Sequence, residues 1–426
     1  MDHIKKSHYY GEVILKNLKK MEKKVLILLL CCMAFSYNVL AVEKFTFTWI
    51  GSVEKFLMMD VTPEEDFTVD WGDGNIEPWT GDWDFVFLFY DYPDEEEYTV
   101  TITGLSEECK FYLIGFDLGQ LVSIDVTECP SLINLGVSDG FLTELDVSAN
   151  HALEILDCNN NPLGSIDVSN NPVLERLFVD NIMLTEIDLS ANPKLDYLSV
   201  RSNQISSLDL SANPNITSLY CNNNNLSRLD LSLLSPLLVD CYENHIPLSD
   251  LFFISETIPD SENKRLGPQT LLPVNVNINE EVNFSNQAVL GETATVFEIP
   301  NAIANVDYSI ENGIIKFMKA GKYTVKMTND AVVSSTDYPA KVTVEINVAN
   351  SGIRNENMSE IFVYPNPTEG IVNVKSEKGM AQELKLFAID GRLLQTVYAT
   401  KIDMTDYASG FYFLQVAGKN MKIVKK

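Results

Sequence analysis

Side chains able to do chemistry are few and scattered. From residue 42 onward the chain has two histidines, His151 and His245. Nearly five units of the repeat described below separate them, and at about 4.8 Å per stacked strand that is roughly 20 Å, too far to share a metal ion. There is no His-Glu-x-x-His pair, no phosphate-binding Gly-rich loop and no Gly-x-Ser-x-Gly elbow. Hydrolysis by a metal or an activated nucleophile is therefore not expected, and neither is any cofactor or metal. A glycan-active hydrolase would need a paired acid and base, yet among 60 Asp and Glu no spacing singles out two. What recurs instead is a column of acids, Asp125, Asp146, Asp167, Asp188, Asp209 and Asp230, each 21 residues after the last. Like charges a strand apart repel unless a cation or hydrogen-bond donors answer them. With a Ser or Thr two positions on, turn bonding is the expected reading and cation binding the alternative. Asp70 and Asp73 read the same way, as a tight turn in preference to a calcium site.

Five cysteines follow residue 41: Cys109, Cys129, Cys158, Cys221 and Cys241. The number is odd and too sparse for a disulfide scaffold, so at least one thiol is free. Cys158 and Cys221 lie three repeats apart, roughly 14 Å, beyond disulfide reach. Cys109 with Cys129, and Cys221 with Cys241, fall in neighbouring units, where a bridge is allowed.

These side chains must be held by something large. The 426 residues suggest about three domains, and a hydrophobic content of 46% is that of folded modules rather than of an acidic disordered chain. With 31 Lys and Arg against 60 acids, a net charge of −29 leaves no electrostatic footprint for nucleic acid. Lys23 and Lys24 precede the apolar run Val25–Ala34 and the small-residue site Val39-Leu40-Ala41, so residues 1–41 read as a secretory leader, with translation starting at Met21 and the mature chain at Val42. The apolar run is shorter than the roughly 20 residues a spanning helix needs, and no later segment is a membrane-span candidate. The exported chain keeps 24 basic and 57 acidic residues, a net charge near −33.

The middle of the chain is periodic. Leu121, Leu142, Leu163, Leu184, Ile205 and Leu226 are spaced by 21, with Ile246 next after 20; Ile124, Leu145, Ile166, Ile187, Leu208 and Leu229 recur three positions later. The other half of each unit reads Leu-x-x-Leu-x-(Cys/Val)-x-x-Asn-x-Leu, as in Leu153, Leu156, Cys158, Asn161 and Leu163. This pattern resembles the leucine-rich repeat. A unit this short cannot bury its Leu and Ile alone, but stacked units share a continuous core with one short parallel strand each. Asn161, Asn203, Asn224 and Asn244 would then form a buried amide ladder, and Asn-Pro at 171–172, 192–193 and 213–214 would supply turns. The absence of a helical period predicts a slim solenoid with few or no helices over 105–253.

Strand-like alternation flanks the repeats. Residues 42–104, with Val69-Asp70-Trp71-Gly72-Asp73-Gly74 and Tyr98-Thr99-Val100-Thr101-Ile102, resemble a polycystic-kidney-disease (PKD) type of immunoglobulin-like domain and are expected to cap the first repeat. Ser255 to Gln269 reads as a polar linker or irregular crossing, and 254–350 carries strands at sandwich spacing, among which Gly321-Lys322-Tyr323-Thr324-Val325 resembles a bacterial immunoglobulin-like domain. After a linker at 351–360, residues 361–426 carry Tyr364-Pro365-Asn366-Pro367 with Gly370, Gly391-Arg392, Gly410 with Tyr412, and a basic end at Lys422–Lys426. With these motifs the segment resembles the C-terminal sorting domain of the type IX (Por) secretion system of Bacteroidota. The resemblance implies a β-sandwich tail recognised by the secretion machinery and an outer-membrane-surface or extracellular location. The whole resembles the internalin-like surface proteins of that phylum, which implies adhesion, biofilm or host interaction.

The expected fold is thus mainly β: a leucine-rich-repeat solenoid flanked by immunoglobulin-like or PKD-like β domains and a sandwich sorting domain. Side chains alternate across a strand, so the residues flanking the inward leucines face solvent. They give Arg176, Phe178, Tyr197, Arg201, Tyr220 and Tyr242, an aromatic and Arg-rimmed patch of the composition that binding hot spots favour. The expected role is non-enzymatic binding of a protein or glycan at a cell surface, with a ligand-free structural role in the envelope or matrix as the alternative.

Overall fold

The structure is a computed structural model and describes residues 42–51, 55–116, 121–350, 362–364, 368–375, 382–388, 392–416 and 419–426. The expected leader lies outside the described residues. The chain divides into two compact units between Ala349 and Asn350.

The first unit opens with strands β1 (Lys44–Ile50), β2 (Lys55–Val61), β3 (Asp66–Asp70), β4 (Ile76–Thr80), β5 (Val86–Tyr90), β6 (Glu97–Gly104), β7 (Phe111–Phe116) and β8 (Leu121–Glu128). Alternation dictates their faces: in β1 the residues Phe45, Phe47 and Trp49 are buried and their neighbours are not. One sheet runs β4-β3-β6-β1-β8. The opposing layer is β5-β2-β7, and it does not stop there. Strands β9 (Asn134–Gly136), β10 (Ile155–Asp157), β11 (Arg176–Phe178), β12 (Tyr197–Ser199), β13 (Ser218–Tyr220), β14 (Leu238–Asp240) and β15 (Lys264–Arg265) continue it in parallel, giving one ten-stranded sheet from β5 to β15. The cap and the repeats therefore share a sheet. Register carries one inward file, Val86, Met59, Ile114, Leu135, Leu156, Leu177, Leu198, Leu219 and Val239, across nine strands, all buried. Each such side chain contributes on the order of 1.5–3 kcal/mol on burial.

Two amide ladders close the turns. Asn161, Asn203, Asn224 and Asn244 are buried as expected; Asn203 Nδ2 donates to the carbonyls of Val179, Val200 and Arg201 at 2.8–3.1 Å, while its Oδ1 accepts from Ile182 N and Leu184 N. The residue before each, Asn160, Ser202, Asn223 and Glu243, sits at φ 53–58°, in the left-handed region that Asn tolerates best. The second ladder is Asn150, Asn171, Asn192 and Asn213, all fully buried. Asn192 Nδ2 donates to Val168 O and Asn171 O, both at 2.9 Å. The Asn-Pro turns form as expected, Leu174 N, Leu195 N and Ile216 N donating to the carbonyls of Asn171, Asn192 and Asn213 across an exposed proline, and the asparagine side chains add the buried bonds.

Past the last repeat the structure differs from the sequence reading. Leu248–Thr257 is an α-helix, α1, with Leu248, Leu251 and Ile254 buried; ten residues gave too little period to stand out beside the repeats. The stretch expected to be a linker forms β15 and then buried Gln269, whose Oε1 accepts from Asn244 N and Ile246 N and whose Nε2 donates to Cys241 O and Leu266 O. Gln269 ends the ladder in place of a further Asn. At the other end the buried Glu43 carboxylate accepts from Phe111 N and Ser131 N.

Strands β16 (Gln269–Asn277), β17 (Glu281–Asn283), β18 (Val289–Leu290), β19 (Thr293–Ala294), β20 (Val296–Glu298), β21 (Tyr308–Glu311), β22 (Ile314–Phe317), β23 (Gly321–Thr328) and β24 (Lys341–Ala349) complete the first unit. They form the sheets β16-β24-β23-β20, β17-β22-β21 and β18-β19, and their buried side chains belong to the same core as the repeats.

The second unit has β25 (Phe362–Tyr364), β26 (Ile371–Lys375), β27 (Gln382–Ala388), β28 (Leu393–Ala399), β29 (Lys401–Asp403), β30 (Gly410–Val416) and β31 (Lys419–Lys425), in sheets β25-β26-β29 and β28-β27-β30-β31. Val372, Leu384, Leu386, Ile402, Leu414 and Ile423 are among the residues of its own core.

The ladders predict an order of cost. Asn203→Ala strands the buried N–H groups of Ile182 and Leu184 and the Val179 carbonyl, a loss on the order of 3 kcal/mol. Asn192→Ala removes donation alone, because Asn192 Oδ1 already has no partner, and should cost about half as much in urea unfolding.

Candidate functional site

The outward face of the ten-stranded sheet is set by the same register. One file runs Phe87, Met58, Gly115, Gly136, Asp157, Phe178, Ser199, Tyr220, Asp240 and Arg265. A second, beside it, runs Leu113, Asn134, Ile155, Arg176, Tyr197, Ser218 and Leu238. Tyr197 therefore lies between Phe178 and Tyr220 in a zigzag. Ring centroids are 4.7 Å apart for Phe178 and Tyr197 and 5.2 Å for Tyr197 and Tyr220, and the Arg201 guanidinium lies 4.0 Å from the Tyr220 centroid. Arg176 is exposed at the rim. The structure thus brings together Arg176, Phe178, Tyr197, Tyr220 and Arg201.

Tyr242 is held elsewhere. It stacks on Tyr338 from the segment before β24 at 4.6 Å, and Arg265 lies 5.5 Å from the Tyr338 centroid. The face is also less open than alternation implies. Ser199, Asn222 and Asp240 are buried on it. Asp240 lies 3.7 Å from Arg201 and 3.5 Å from Arg265, and Asp180 accepts from Ser199 Oγ at 2.6 Å and Arg201 N at 2.7 Å. Asp240 thus pairs with the Arg201 guanidinium that lies over Tyr220, and Asp180 anchors the Arg201 backbone. Burial raises the carboxyls of Asp157, Asp180 and Asp240 above the usual range. Burial, with the neighbouring Tyr220, pushes the Tyr197 hydroxyl up to about 12.

The acidic column is turn chemistry. Asp125, Asp146, Asp167, Asp188, Asp209 and Asp230 each accept the N–H two residues on at 2.9–3.0 Å. At Asp167, Asp188, Asp209 and Asp230 that N–H, then the Ser hydroxyl, holds the carboxyl below its ordinary value. Asp70 accepts from Gly72 N and Asp73 from Asn75 N and Tyr90 Oη. All five described cysteines are buried free thiols, so neither allowed bridge is made. Burial drives the Cys109 thiol up to about 12 and the others higher. His151 and His245 each contact a backbone carbonyl, of Asn170 and Thr270.

In the second unit, Tyr364 lies in β25, Gly370 in the turn before β26, Arg392 just before β28, and Gly410 opens β30 at φ 153°. Tyr412 is buried, its hydroxyl donating to Ala408 O at 2.7 Å. Pro365, Asn366, Pro367 and Gly391 lie outside the described residues. The sequence reading missed Tyr338 and Arg265, which carry no periodic signal. It also missed the outward aromatics of β5, although Phe85-x-Phe87-x-Phe89 is a period-2 pattern that points to them.

Comparison with known proteins places the tail first. Residues 362–426 match the family model described as a secretion system C-terminal sorting domain, of the Por type. No curated protein matches the chain. Among solved structures, the chain is similar to the functional domain of InlJ from Listeria monocytogenes, described as including a cysteine ladder, at 22% identity and a TM-score of 0.39, over 54% of this chain and 60% of that one. It is also similar to the internalin inlF of Listeria monocytogenes (20% identity, TM-score 0.31, 34% of this chain, 44% of that one) and to a leucine-rich-repeat protein of Leptospira interrogans (16% identity, TM-score 0.27, 34% and 50%). The repeats and the tail together define an exported leucine-rich-repeat protein with a type IX sorting domain. Its destination is the cell surface or the extracellular space. No helix among the described residues is long and apolar enough to cross a membrane.

Two outcomes follow from the titrations and the thiols. Asp157, Asp180 and Asp240 bind their protons more tightly folded than unfolded, so stability falls as pH rises from 3.8 through their folded values. The column does the opposite, its stabilisation being present above 3.8 and lost as pH falls through its depressed values. The thermal midpoint should rise on acidification from pH 7 toward about 4 and drop below that. A water-soluble thiol reagent should leave Cys109, Cys129, Cys158, Cys221 and Cys241 unmodified in the native protein and label all five after unfolding, as read by peptide mass spectrometry.

Proposed function

We propose that the protein is a non-enzymatic surface binder that engages a protein partner through the outward face of its repeats, in adhesion at a cell surface. The observation that carries this is the row of tilted, closely packed rings Phe178, Tyr197 and Tyr220 with the Arg201 guanidinium over Tyr220. A row of rings packed on one another on a hydrogen-bonded sheet is ordered before binding, so little conformational entropy is lost on contact. Tyr and Arg are the residue types that dominate truncation scans of interfaces. Asp240 supports the reading, because its buried carboxylate pairs with the Arg201 guanidinium, while Asp180 holds the Arg201 backbone N–H. The sorting domain supports the location, since such a face meets partners only outside the cell.

The test is binding of the full exported chain to immobilised extracellular-matrix proteins, to a glycan array and to whole bacterial cells. Phe178→Ala/Tyr197→Ala/Tyr220→Ala should keep its circular dichroism and lose at least about a hundredfold in affinity for the protein ligand, as three truncated anchors of 1 kcal/mol or more imply. Equal binding by the folded variant, or binding confined to glycans, overturns the proposal.

A further inference from the structure

The repeats do not hold all the exposed aromatic surface of this face. Strand β5 ends the ten-stranded sheet, so one of its edges has no strand beside it among the described residues. Its outward Phe87 and Phe89 are 46% and 66% exposed. Both rest on Phe56, at 5.6 and 5.0 Å, and Phe85 joins Phe87 at 6.4 Å. A hydrophobic face on an open edge strand templates pairing with another chain, and soluble proteins normally blunt or cover it.

Here both ends of the strand carry exposed acids instead. Asp82 and Asp84 precede it, and Asp94, Glu95 and Glu96 follow it. Those charges exclude a second copy as the occupant. Antiparallel pairing of two β5 edges would set Asp82 and Asp84 of one chain against Asp94, Glu95 and Glu96 of the other, and parallel pairing would set each cluster against itself; both juxtapositions are repulsive. The same charges attract a strand whose ends are cationic.

We propose that β5 is a docking edge for an extended protein segment with alternating apolar side chains and Lys or Arg at both ends, which adds to the sheet beside β5. Main-chain hydrogen bonds along the edge supply affinity, and the surface of Phe56, Phe87 and Phe89 receives alternate side chains of the segment. The acidic ends select cationic flanks and speed the encounter. Phe87 lies five strand steps from Phe178, roughly 24 Å, so this edge and the aromatic row on the repeats are separate surfaces.

The probe is a fluorescent peptide of alternating valine and threonine with two lysines at each end, titrated with the full exported chain; its control carries glutamates in place of the lysines. The lysine peptide should bind, the glutamate peptide at least about tenfold more weakly, and 0.5 M salt should weaken the first, as screening requires. Phe87→Ala/Phe89→Ala should reduce affinity about tenfold or more with an unchanged thermal midpoint. Asp82→Lys/Asp84→Lys/Glu95→Lys/Glu96→Lys should reverse the preference between the peptides, and it decides the matter if the phenylalanine variant fails to fold. Phe178→Ala/Tyr197→Ala/Tyr220→Ala should bind the peptide unchanged, which separates this edge from the repeat face. Absence of binding by the lysine peptide, equal binding of the two peptides, or full binding by the folded phenylalanine variant overturns the proposal.

Discussion

A buried primary amide bonded to the carbonyls of successive turns is the interaction on which the rest of the first unit depends. A 21-residue turn without helices leaves main-chain groups pointing into its own interior, and each costs on the order of 1–3 kcal/mol if unanswered. Asn answers them with a side chain too short to wander. Asn161 reaches 24 residues back to Val137 O and 19 back to Leu142 N, so it measures one turn against the next. The leucines give the solenoid its driving force, but leucines alone would tolerate sliding. The amides fix the pitch, and with it the strand register that sets every outward side chain.

That register makes the cap and the repeats a single element. Gly115 and Gly136 occupy the outward file between Met58 and Asp157, where the antiparallel and parallel strands meet. A Cβ on Gly136 would come within 3.8 Å of Gly115 at its nearest approach, so space alone does not demand glycine there. The effect of the pair is a low stretch of face between the aromatic cluster on β5 and the aromatic row on the repeats. Toward the other end Tyr338 packs on Tyr242 with Arg265 over Tyr338, which bounds the face there.

Most of this architecture was legible from spacing alone. The period, the inward leucines and the ladder of Asn161, Asn203, Asn224 and Asn244 follow from which residue types recur, because a repeat writes the same physical requirement several times. Asn171, Asn192 and Asn213 recur as regularly, yet their role was hidden by the prolines after them, which supply a sufficient local reason for a turn. The helix Leu248–Thr257 and the capping Gln269 occur once each, and a single instance has no period to reveal it. The aromatic row on the repeats could be read from alternation. Its boundaries could not, since Tyr338 reaches Tyr242 across about a hundred residues of chain, and the burial of Asp240 depends on two arginines from different turns.

The direction of the strands has a mechanical consequence. In the repeats the strands lie across the stacking direction and the hydrogen bonds between them lie along it. A pull applied along the stack therefore loads each bonded pair in tension and opens it a few bonds at a time, whereas strands pulled along their own length must break many bonds together in shear. Three-residue strands such as β10 to β14 share few bonds per step. The solenoid should behave under load as a series of similar links, each a short strand pair with its buried amides, that extend one after another and close again when the force is removed.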